Sequence, residues 1–480
     1  MTAQQRNAVS ACLCLFCLGL AVSCSQRAYL PQQAPEGACA TTSSAPVTED
    51  QAFVQRLRQS GAIVVRDATR PERPVVQLRS QHRIDLRGIG TLKSLQRLDI
   101  RAGVKPGTGY DELADLPSLR ELVLDHVYLG NDGFERFPRL PKLEVLEVYS
   151  DHRLDDRGIA ALLKFTGLRE LRLCYTKVGA AGLAQLRALT SLEKLYYMQC
   201  RNVGDTELRS AVDVPQLREL AMGPAFFSEV AVRGLQEMPS LTHLYLRCLD
   251  DRHMKAVATF SRLESLNLSA APVTDDGLGE LRAMHNLRDL DVSYSKVTAK
   301  GLASLGAHPK LRRLTVSGEQ LGDPDGSDLA RLIHVRELAV TSMDRRLMRT
   351  LAGMRHLTSL SLANNTLDDT DVVAIGALAN LESLDLKQNY AITHCGLSFL
   401  RLLTKLRVLD LSHTGIGDEA VAVLQAVPSL KTIDVSDTHL SATGLLALRR
   451  ALPRATITFR QTEGRQVVTA PVREHDSDTR

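Results

Sequence analysis

The stretch that decides the fold is Leu168-Arg-Glu-Leu-Arg-Leu-Cys-Tyr-Thr-Lys-Val178, and a close copy reads Leu406-Arg-Val-Leu-Asp-Leu-Ser-His-Thr-Gly-Ile416. In both copies leucine holds the first, fourth and sixth positions. The alternation of the last two leucines around a polar residue predicts a short strand with one buried face. One such strand cannot bury its leucines alone, so each copy needs a neighbour of the same kind.

The same phrase recurs along most of the chain. The spacing is 24 residues, with three intervals of 25 and two of 22. The fifteen copies begin at Leu95, Leu119, Leu143, Leu168, Leu192, Leu217, Leu241, Leu263, Leu287, Leu311, Val335, Leu357, Leu381, Leu406 and Leu430. Such regularity over 335 residues is a structural repeat.

A helix signal follows many of the strands. In the copy from Thr274 to Leu281 the sequence is Thr-Asp-Asp-Gly-Leu-Gly-Glu-Leu, with leucines at helical spacing. We expect Asp275 to add negative charge to the first helical turn. Four hydroxyl side chains are predicted helix N-caps: Thr274, Thr298, Thr393 and Ser441. Each unit is therefore strand, turn, helix and return.

The pattern resembles the leucine-rich-repeat family, L-x-x-L-x-L-x-x-N/C-x-L, over residues 75 to 460. It is most similar to the ribonuclease-inhibitor-like and F-box-associated subclasses. The resemblance implies an α/β solenoid, a horseshoe with a parallel sheet on its concave face and helices on its convex face. It also implies non-covalent binding of a partner, without naming one. At the ninth position of a unit, side chains such as Asn365, Asn389, Cys200, Thr176 and Thr414 are expected to satisfy backbone groups between layers.

The first 23 residues resemble a secretory signal peptide, with Arg6 before an uncharged run at 11–20. Leu20-Ala-Val-Ser-Cys24 resembles a bacterial lipobox, which implies that Cys24 is lipidated and anchors the protein in a membrane. The small residues before Cys24 would also suit an ordinary signal peptidase. In Gram-negative bacteria, Ser25 would direct a lipoprotein to the outer membrane. A secreted or periplasmic protein is the alternative.

The rest of the chain divides around the repeats. Residues 24–47 are polar and Pro-containing and predict a flexible tether. Residues 48–94 predict an N-terminal cap, with a helix and a hairpin-like start to the sheet, and a first partial repeat. Residues 95–453 hold the fifteen repeats. Residues 454–460 predict a capping strand, and the polar tail 461–480 is expected to be disordered.

Composition and motifs exclude several function classes. The 59 Lys and Arg and 55 Asp and Glu give a net charge of +4 with no basic stripe, so nucleic acid is not an expected partner. No phosphate-binding loop, dinucleotide fingerprint, nucleophile elbow or zinc-protease motif occurs, and no cofactor is predicted. The five cysteines beyond the leader and Cys24 are scattered, which favours neither a zinc site nor a disulfide framework.

Two groups of inner-face residues are candidates for binding. Acidic residues recur in the middle of L-x-L and just beyond it, where a shared cation is one interpretation and ordinary solvated carboxylates are the other: Asp291, Asp385, Asp410, Asp434 and Asp437. Large residues cluster on the units from Leu143 to Leu241, and we expect them to form an exposed patch. The predicted patch consists of Glu147, Tyr149, Glu170, Arg172, Tyr175, Lys194, Tyr196, Met198, His243, Tyr245 and Arg247. Strand propensity alone is the competing explanation for its tyrosines.

The sequence therefore predicts a non-enzymatic, lipid-anchored protein of the bacterial cell envelope. It is expected to recognise a protein or peptide on its concave face. Two alternatives are a substrate adaptor of a ubiquitin ligase, suggested by the F-box-type repeat, and a purely structural envelope protein. The adaptor would require a helical module before the repeats, and residues 25 to 62 offer one short helix.

Overall fold

The computed structural model describes residues 49–67, 74–104, 110–200, 203–318, 331–343 and 347–460. The leader, the tether and the tail, with their predicted lipidation at Cys24 and predicted disorder, lie outside the described residues. Residue 48, the first of the predicted N-terminal cap, also lies outside them. None of the helices within the described ranges combines the length and the apolar character that a membrane span needs.

One sheet runs through the whole described chain. Its strands are β1 (Ile63–Arg66), β2 (Val75–Ser80), β3 (Arg97–Arg101), β4 (Glu121–Asp125), β5 (Val145–Tyr149), β6 (Glu170–Cys174), β7 (Lys194–Met198), β8 (Glu219–Gly223), β9 (His243–Leu246), β10 (Ser265–Asn267), β11 (Asp289–Asp291), β12 (Arg313–Ser317), β13 (Glu337–Thr341), β14 (Ser359–Ser361), β15 (Ser383–Asp385), β16 (Val408–Asp410), β17 (Thr432–Asp434) and β18 (Thr456–Thr458). β1 pairs with β2 antiparallel, as a hairpin. From β2 onward every strand pairs in parallel with the next one in sequence.

Helical segments follow the strands. The α-helices are α1 (Glu49–Gln59), α2 (Gly130–Arg136), α3 (Asp156–Leu162), α4 (Ala180–Gln185), α5 (Asp205–Val212), α6 (Glu229–Gly234), α7 (Asp251–Val257), α8 (Asp275–Glu280), α9 (Ala299–Ala303), α10 (Leu347–Gly353), α11 (Asp369–Val372), α12 (Ala420–Gln425) and α13 (Ala442–Ala451). Short 3₁₀ helices cover Ile89–Thr91, Asp111–Asp115, Leu186–Ala188, Leu235–Glu237, Leu281–Ala283, Ser304–Ala307, Val373–Ala377 and Gly396–Leu402. The predicted leucine-rich-repeat solenoid, with its sheet on the concave face and its helices on the convex face, is confirmed.

The repeated leucines form one continuous core. The fourth-position leucines of neighbouring units pair in register, for example Leu146 with Leu171 and Leu171 with Leu195, and all three are fully buried. The predicted ladder at the ninth position is also present. The Asn389 amide donates to the carbonyls of Leu362 and Leu386, each at 2.9 Å, so it joins two adjacent layers. Burying polar groups in this way is stabilising because each finds a partner.

Aspartates on the convex side link each repeat to the next. Asp275, the first residue of α8, accepts hydrogen bonds from the backbone N–H of Thr298 and from its hydroxyl, both at 2.7 Å. A Cβ atom at Gly301 would lie well inside van der Waals contact of the same carboxylate. Asp275-Asp276-Gly277 is one copy of an Asp-x-Gly (D-x-G) motif that opens the helical segments. This motif is therefore explained by contact between repeats, which goes beyond the predicted charge effect of Asp275. Asp251, Asp369 and Asp418 make the same contact with Thr274, Thr393 and Ser441.

Two of the four predicted N-caps cap in the expected way. Thr274 accepts from the N–H of Asp276, and Ser441 accepts from that of Gly444. Thr298 precedes α9 and its hydroxyl donates to Asp275, but it makes no side-chain capping bond. The Thr393 hydroxyl accepts from the Cys395 N–H at 3.3 Å, although the 3₁₀ helix that follows begins at Gly396, with Cys395 as its flanking residue.

Candidate binding surface on the concave face

The third, fifth and seventh positions of each unit point away from the leucine core, so their side chains stand on the concave face. Because the strands pair in parallel and in register, residues one repeat apart become neighbours across the sheet. Arg172 of β6 thus lies beside Glu147 of β5 on one side and Tyr196 of β7 on the other. The sequence placed these three side chains about 24 residues apart, and the fold brings them together.

Arg172 is the centre of this arrangement. Its guanidinium bonds Glu170 (Nη2–Oε1 2.6 Å) and lies 3.8 Å (Nε–Oε1) from Glu147. The same guanidinium stacks over the ring of Tyr196, with Cζ 4.2 Å from the ring centroid. Arg172 is only 7% exposed and Tyr196 8%. A cation over an aromatic face and between two carboxylates is held in one geometry.

The network continues across β7 to β8. The Tyr196 hydroxyl donates to Glu219 at 2.5 Å, and Lys194 lies 3.2 Å from the same carboxylate (Nζ–Oε2). Burial alone would raise the pKa of Glu219, but the Tyr196 hydroxyl and the Lys194 charge lower it overall. Tyr149 closes the other end by donating to Glu147 at 2.9 Å. We call these residues, with the rest of the predicted patch and Glu219, the inner-face cluster.

The prediction of an exposed patch is wrong for four of its members. Glu147, Arg172, Tyr196 and Arg247 are each more than nine-tenths buried. Tyr175 is 36% exposed, and Tyr149, Glu170, Lys194, Met198, His243 and Tyr245 are partly exposed. The surface therefore has a buried base, in which Arg172 and Tyr196 are paired, and a more exposed upper layer.

The predicted patch did not include Glu219, which contacts both Tyr196 and Lys194. The signal was present in the third position of three successive units, where Glu170, Lys194 and Glu219 alternate in charge. Strand alternation shows which face a residue occupies, and charge alternation one repeat apart shows which residues pair. The electrostatic influence of His243 on Glu219 extends the cluster towards β9.

From β10 onward the acidic residues behave differently. The Asp410 carboxylate accepts from the N–H of Ser412 at 2.8 Å and from its hydroxyl at 2.6 Å, and Asp434 accepts from the N–H of Ser436 at 2.8 Å. The same turn is made by Asn267, Asp291 and Asp385. These carboxylates therefore serve the backbone two residues further on. Within the described ranges no group of three or more His, Cys, Asp or Glu residues is placed to hold a metal ion.

Two family models match parts of this chain, and several solved structures resemble it. Residues 355–416 and residues 283–306 match family models that describe the leucine-rich repeat, so the chain contains leucine-rich repeats. An internalin of Listeria monocytogenes is 19% identical, with 64% of this chain and 83% of that chain covered and a TM-score of 0.36. A leucine-rich-repeat protein of Leptospira interrogans is 18% identical, with coverages of 78% and 92% and a TM-score of 0.32. Internalin C2 of Listeria monocytogenes is 22% identical, with coverages of 44% and 83% and a TM-score of 0.29. The sequence matches no curated protein.

Proposed function

We propose that this leucine-rich-repeat chain is a non-enzymatic binding protein, and that it recognises a protein or peptide through the inner-face cluster. The observation that carries the proposal is the continuous pairing of large side chains across β5 to β8. Glu147, Arg172, Tyr196 and Glu219 lie on four successive strands and each contacts the next. The leucine-rich-repeat pattern does not itself require large side chains at these concave-face positions.

The physical properties of the cluster suit recognition. A bound partner must immobilise the side chains that it contacts, at a cost of roughly 0.5–1.5 kcal/mol for each rotamer-rich side chain. Arg172 and Tyr196 are already immobilised by their mutual stacking and by their carboxylate partners. Tyr175 and Met198 are more exposed than these two residues, and tyrosine and methionine are enriched in interfaces. A partner would therefore meet a rigid base with apolar and hydrogen-bonding groups on top.

Site-specific photocross-linking tests this proposal. A photoreactive phenylalanine analogue is placed at Tyr175 or at Gln388, which occupy the same eighth position of two units with φ of 55° and 60°. We expect a discrete cross-linked adduct in the native host from the Tyr175 probe and none from the Gln388 probe. The adduct should disappear when purified wild-type protein is added as competitor. Equal adducts from both positions, or none from Tyr175, would refute recognition by the inner-face cluster.

We further propose that the protein is held in the bacterial envelope by a lipid on Cys24, most simply in the outer membrane. The support is the sequence Leu20-Ala-Val-Ser-Cys24 after an uncharged run. Intact mass and membrane fractionation, with Cys24→Ala as the control, test this directly. A mature chain that begins at Cys24 with added acyl mass is expected. An unmodified soluble chain would indicate a secreted or periplasmic binder, and an unprocessed leader would contradict export.

A further inference from the structure

Arg247 is a buried cation that no carboxylate of the described residues neutralises. It follows β9 on the concave face and is 7% exposed, as buried as Arg172. Arg172 has two carboxylates within 4 Å, whereas no acidic side chain in the described part of the chain pairs with Arg247. Its Nη1 atom is shielded from solvent and has no acceptor among the described residues.

Small residues on the neighbouring strand make the space for this side chain. The backbone N–H of Arg247 donates to the carbonyl of Met222, and Gly223 is the next residue of β8. A Cβ atom at Gly223 would lie 3.0 Å from the Arg247 Cβ, tighter than almost all real contacts. Ala221 precedes Gly223 on the same face, and Ser269 is the seventh-position residue of the following unit. Arg247 is therefore flanked by small residues on both neighbouring units.

The nearest acidic residues of the cluster are already used. Glu219 accepts from Tyr196 and pairs with Lys194, and Glu170 is bonded to Arg172. A guanidinium buried without an anion is unfavourable, and an arriving oxyanion that accepts two of its N–H groups removes that penalty. Arg172, at the fifth position of its own unit, shows how a buried guanidinium on the concave face is completed when carboxylates are available.

We propose that Arg247 is an oxyanion-binding site that receives a carboxylate carried by the partner. This inference rests on the proposed function, because the carboxylate would come from the protein or peptide bound on the inner-face cluster. Tyr245 precedes Arg247 by two residues, so both side chains lie on the concave face. The partner's acidic side chain would enter beside that ring and complete the pairing that the chain leaves open.

Inorganic phosphate and acetate are the probes for the site itself. Thermal unfolding is measured in each salt against sodium chloride of equal ionic strength. We expect both anions to raise the melting temperature of the wild type more than that of Arg247→Met, whose remaining response is the general stabilisation by these salts. Arg252→Met is the matched control, because Arg252 is paired with Asp250 and its side chain is 80% exposed. It should respond to the anions as the wild type does.

Stability without added anion gives a second readout. Arg247→Met should be as stable as the wild type or more stable, because the substitution removes an uncompensated charge and keeps most of the volume. A response of Arg247→Met to phosphate equal to that of the wild type would overturn the proposal. Destabilisation of Arg247→Met as large as that of Arg172→Met would also overturn it, since the guanidinium would then already be paired.

Partner capture through the Tyr175 probe separates the two sources of the anion. A tenfold or greater loss of capture by Arg247→Met, together with competition by phosphate, supports a carboxylate on the partner. Unchanged capture with an intact phosphate response would assign the site to a free anion and overturn the carboxylate. If the Tyr175 probe captures nothing while the phosphate response persists, the proposed function fails and the oxyanion site remains.

Discussion

The inner faces of the two halves of the solenoid use polar side chains in opposite ways. Between β5 and β8, charged and aromatic residues bond across strands, as Tyr196 does with Glu219. From β10 to β17, most fifth-position carboxylates and amides accept from the backbone two residues further on in their own unit, as Asp410 does from Ser412. The strands differ accordingly: β5 to β8 have five residues each, whereas β10, β11 and β14 to β17 have three.

Competition for one backbone N–H explains the difference in strand length. When Asp410 or Asp434 accepts from the residue two positions on, that N–H is no longer available to the neighbouring strand. The strand therefore ends at the fifth position. Asp99 of β3 shows the contrast, because its carboxylate is occupied by Arg79 and Arg101 and its strand keeps five residues. The same repeat therefore gives two kinds of concave surface. In one, the polar side chains bond within their own unit, and in the other they bond between neighbouring strands.

The largest effect is expected from breaking the cross-strand network at its centre. Arg172→Met should lower the free energy of unfolding by about 3–5 kcal/mol, because Glu147 would remain buried without its cation and Glu170 would keep only Lys194, 3.9 Å away (Nζ–Oε2). Urea unfolding measures the change. The control Arg169→Met removes an exposed partner of Glu193 and should cost less than about 1 kcal/mol. Equal losses in the two variants would show that the network is not a buried unit.

The convex links between repeats should respond alike in both halves. Gly182→Ala and Gly301→Ala each place a Cβ against the aspartate of the preceding repeat, Asp156 or Asp275, and should cost about 1–3 kcal/mol. Gly279→Ala is the control, because nothing lies within 4 Å of its Cβ position, and it should be neutral or slightly stabilising. A loss confined to one half would show that the halves differ in more than their inner faces.

Removing one hydroxyl should make the N-terminal half respond differently to acid. The lowered pKa of Glu219 means that its contribution to stability is present above the pKa of the unfolded chain and is lost as the pH falls through the folded pKa. Tyr196→Phe should raise that pKa and cost roughly 0.5–1.5 kcal/mol at neutral pH. Carboxyl NMR titration of Glu219 provides the measurement. An unchanged titration curve would contradict the role of the hydroxyl.

The C-terminal half should respond to pH in the opposite direction, with the smallest effect. Burial raises the pKa of Asp434, with the neighbouring Asp410 as a minor contributor and Ser436 and Arg460 opposing it. The stability that this group contributes is therefore present at low pH and is lost as the pH rises through the folded pKa. Asp434→Asn keeps an acceptor for Ser436 and should gain up to about 1 kcal/mol at pH 7 relative to pH 4. A larger gain at pH 4 in paired unfolding curves would refute this.

Sequence periodicity was sufficient for the fold because each unit repeats the same leucine positions in register. It also located the candidate surface, since alternation along a strand assigns each residue to a face. It could not show that Arg172 and Tyr196 are buried, because their burial depends on side chains one repeat away. The D-x-G motif was visible, but its cause was not, because Asp275 contacts Gly301 of the following unit. What the sequence could not show was, in each case, a contact between repeats.

The most direct test of the central claim is the dissociation constant of the captured partner for two matched variants. Tyr175→Asn and Gln388→Asn change equivalent left-handed positions to a residue that tolerates this conformation, one in each half. If the inner-face cluster binds the partner, Tyr175→Asn weakens binding about tenfold or more, while the dissociation constant of Gln388→Asn stays within about threefold of the wild-type value. Equal weakening by both, or a loss confined to Gln388→Asn, would contradict recognition by the inner-face cluster.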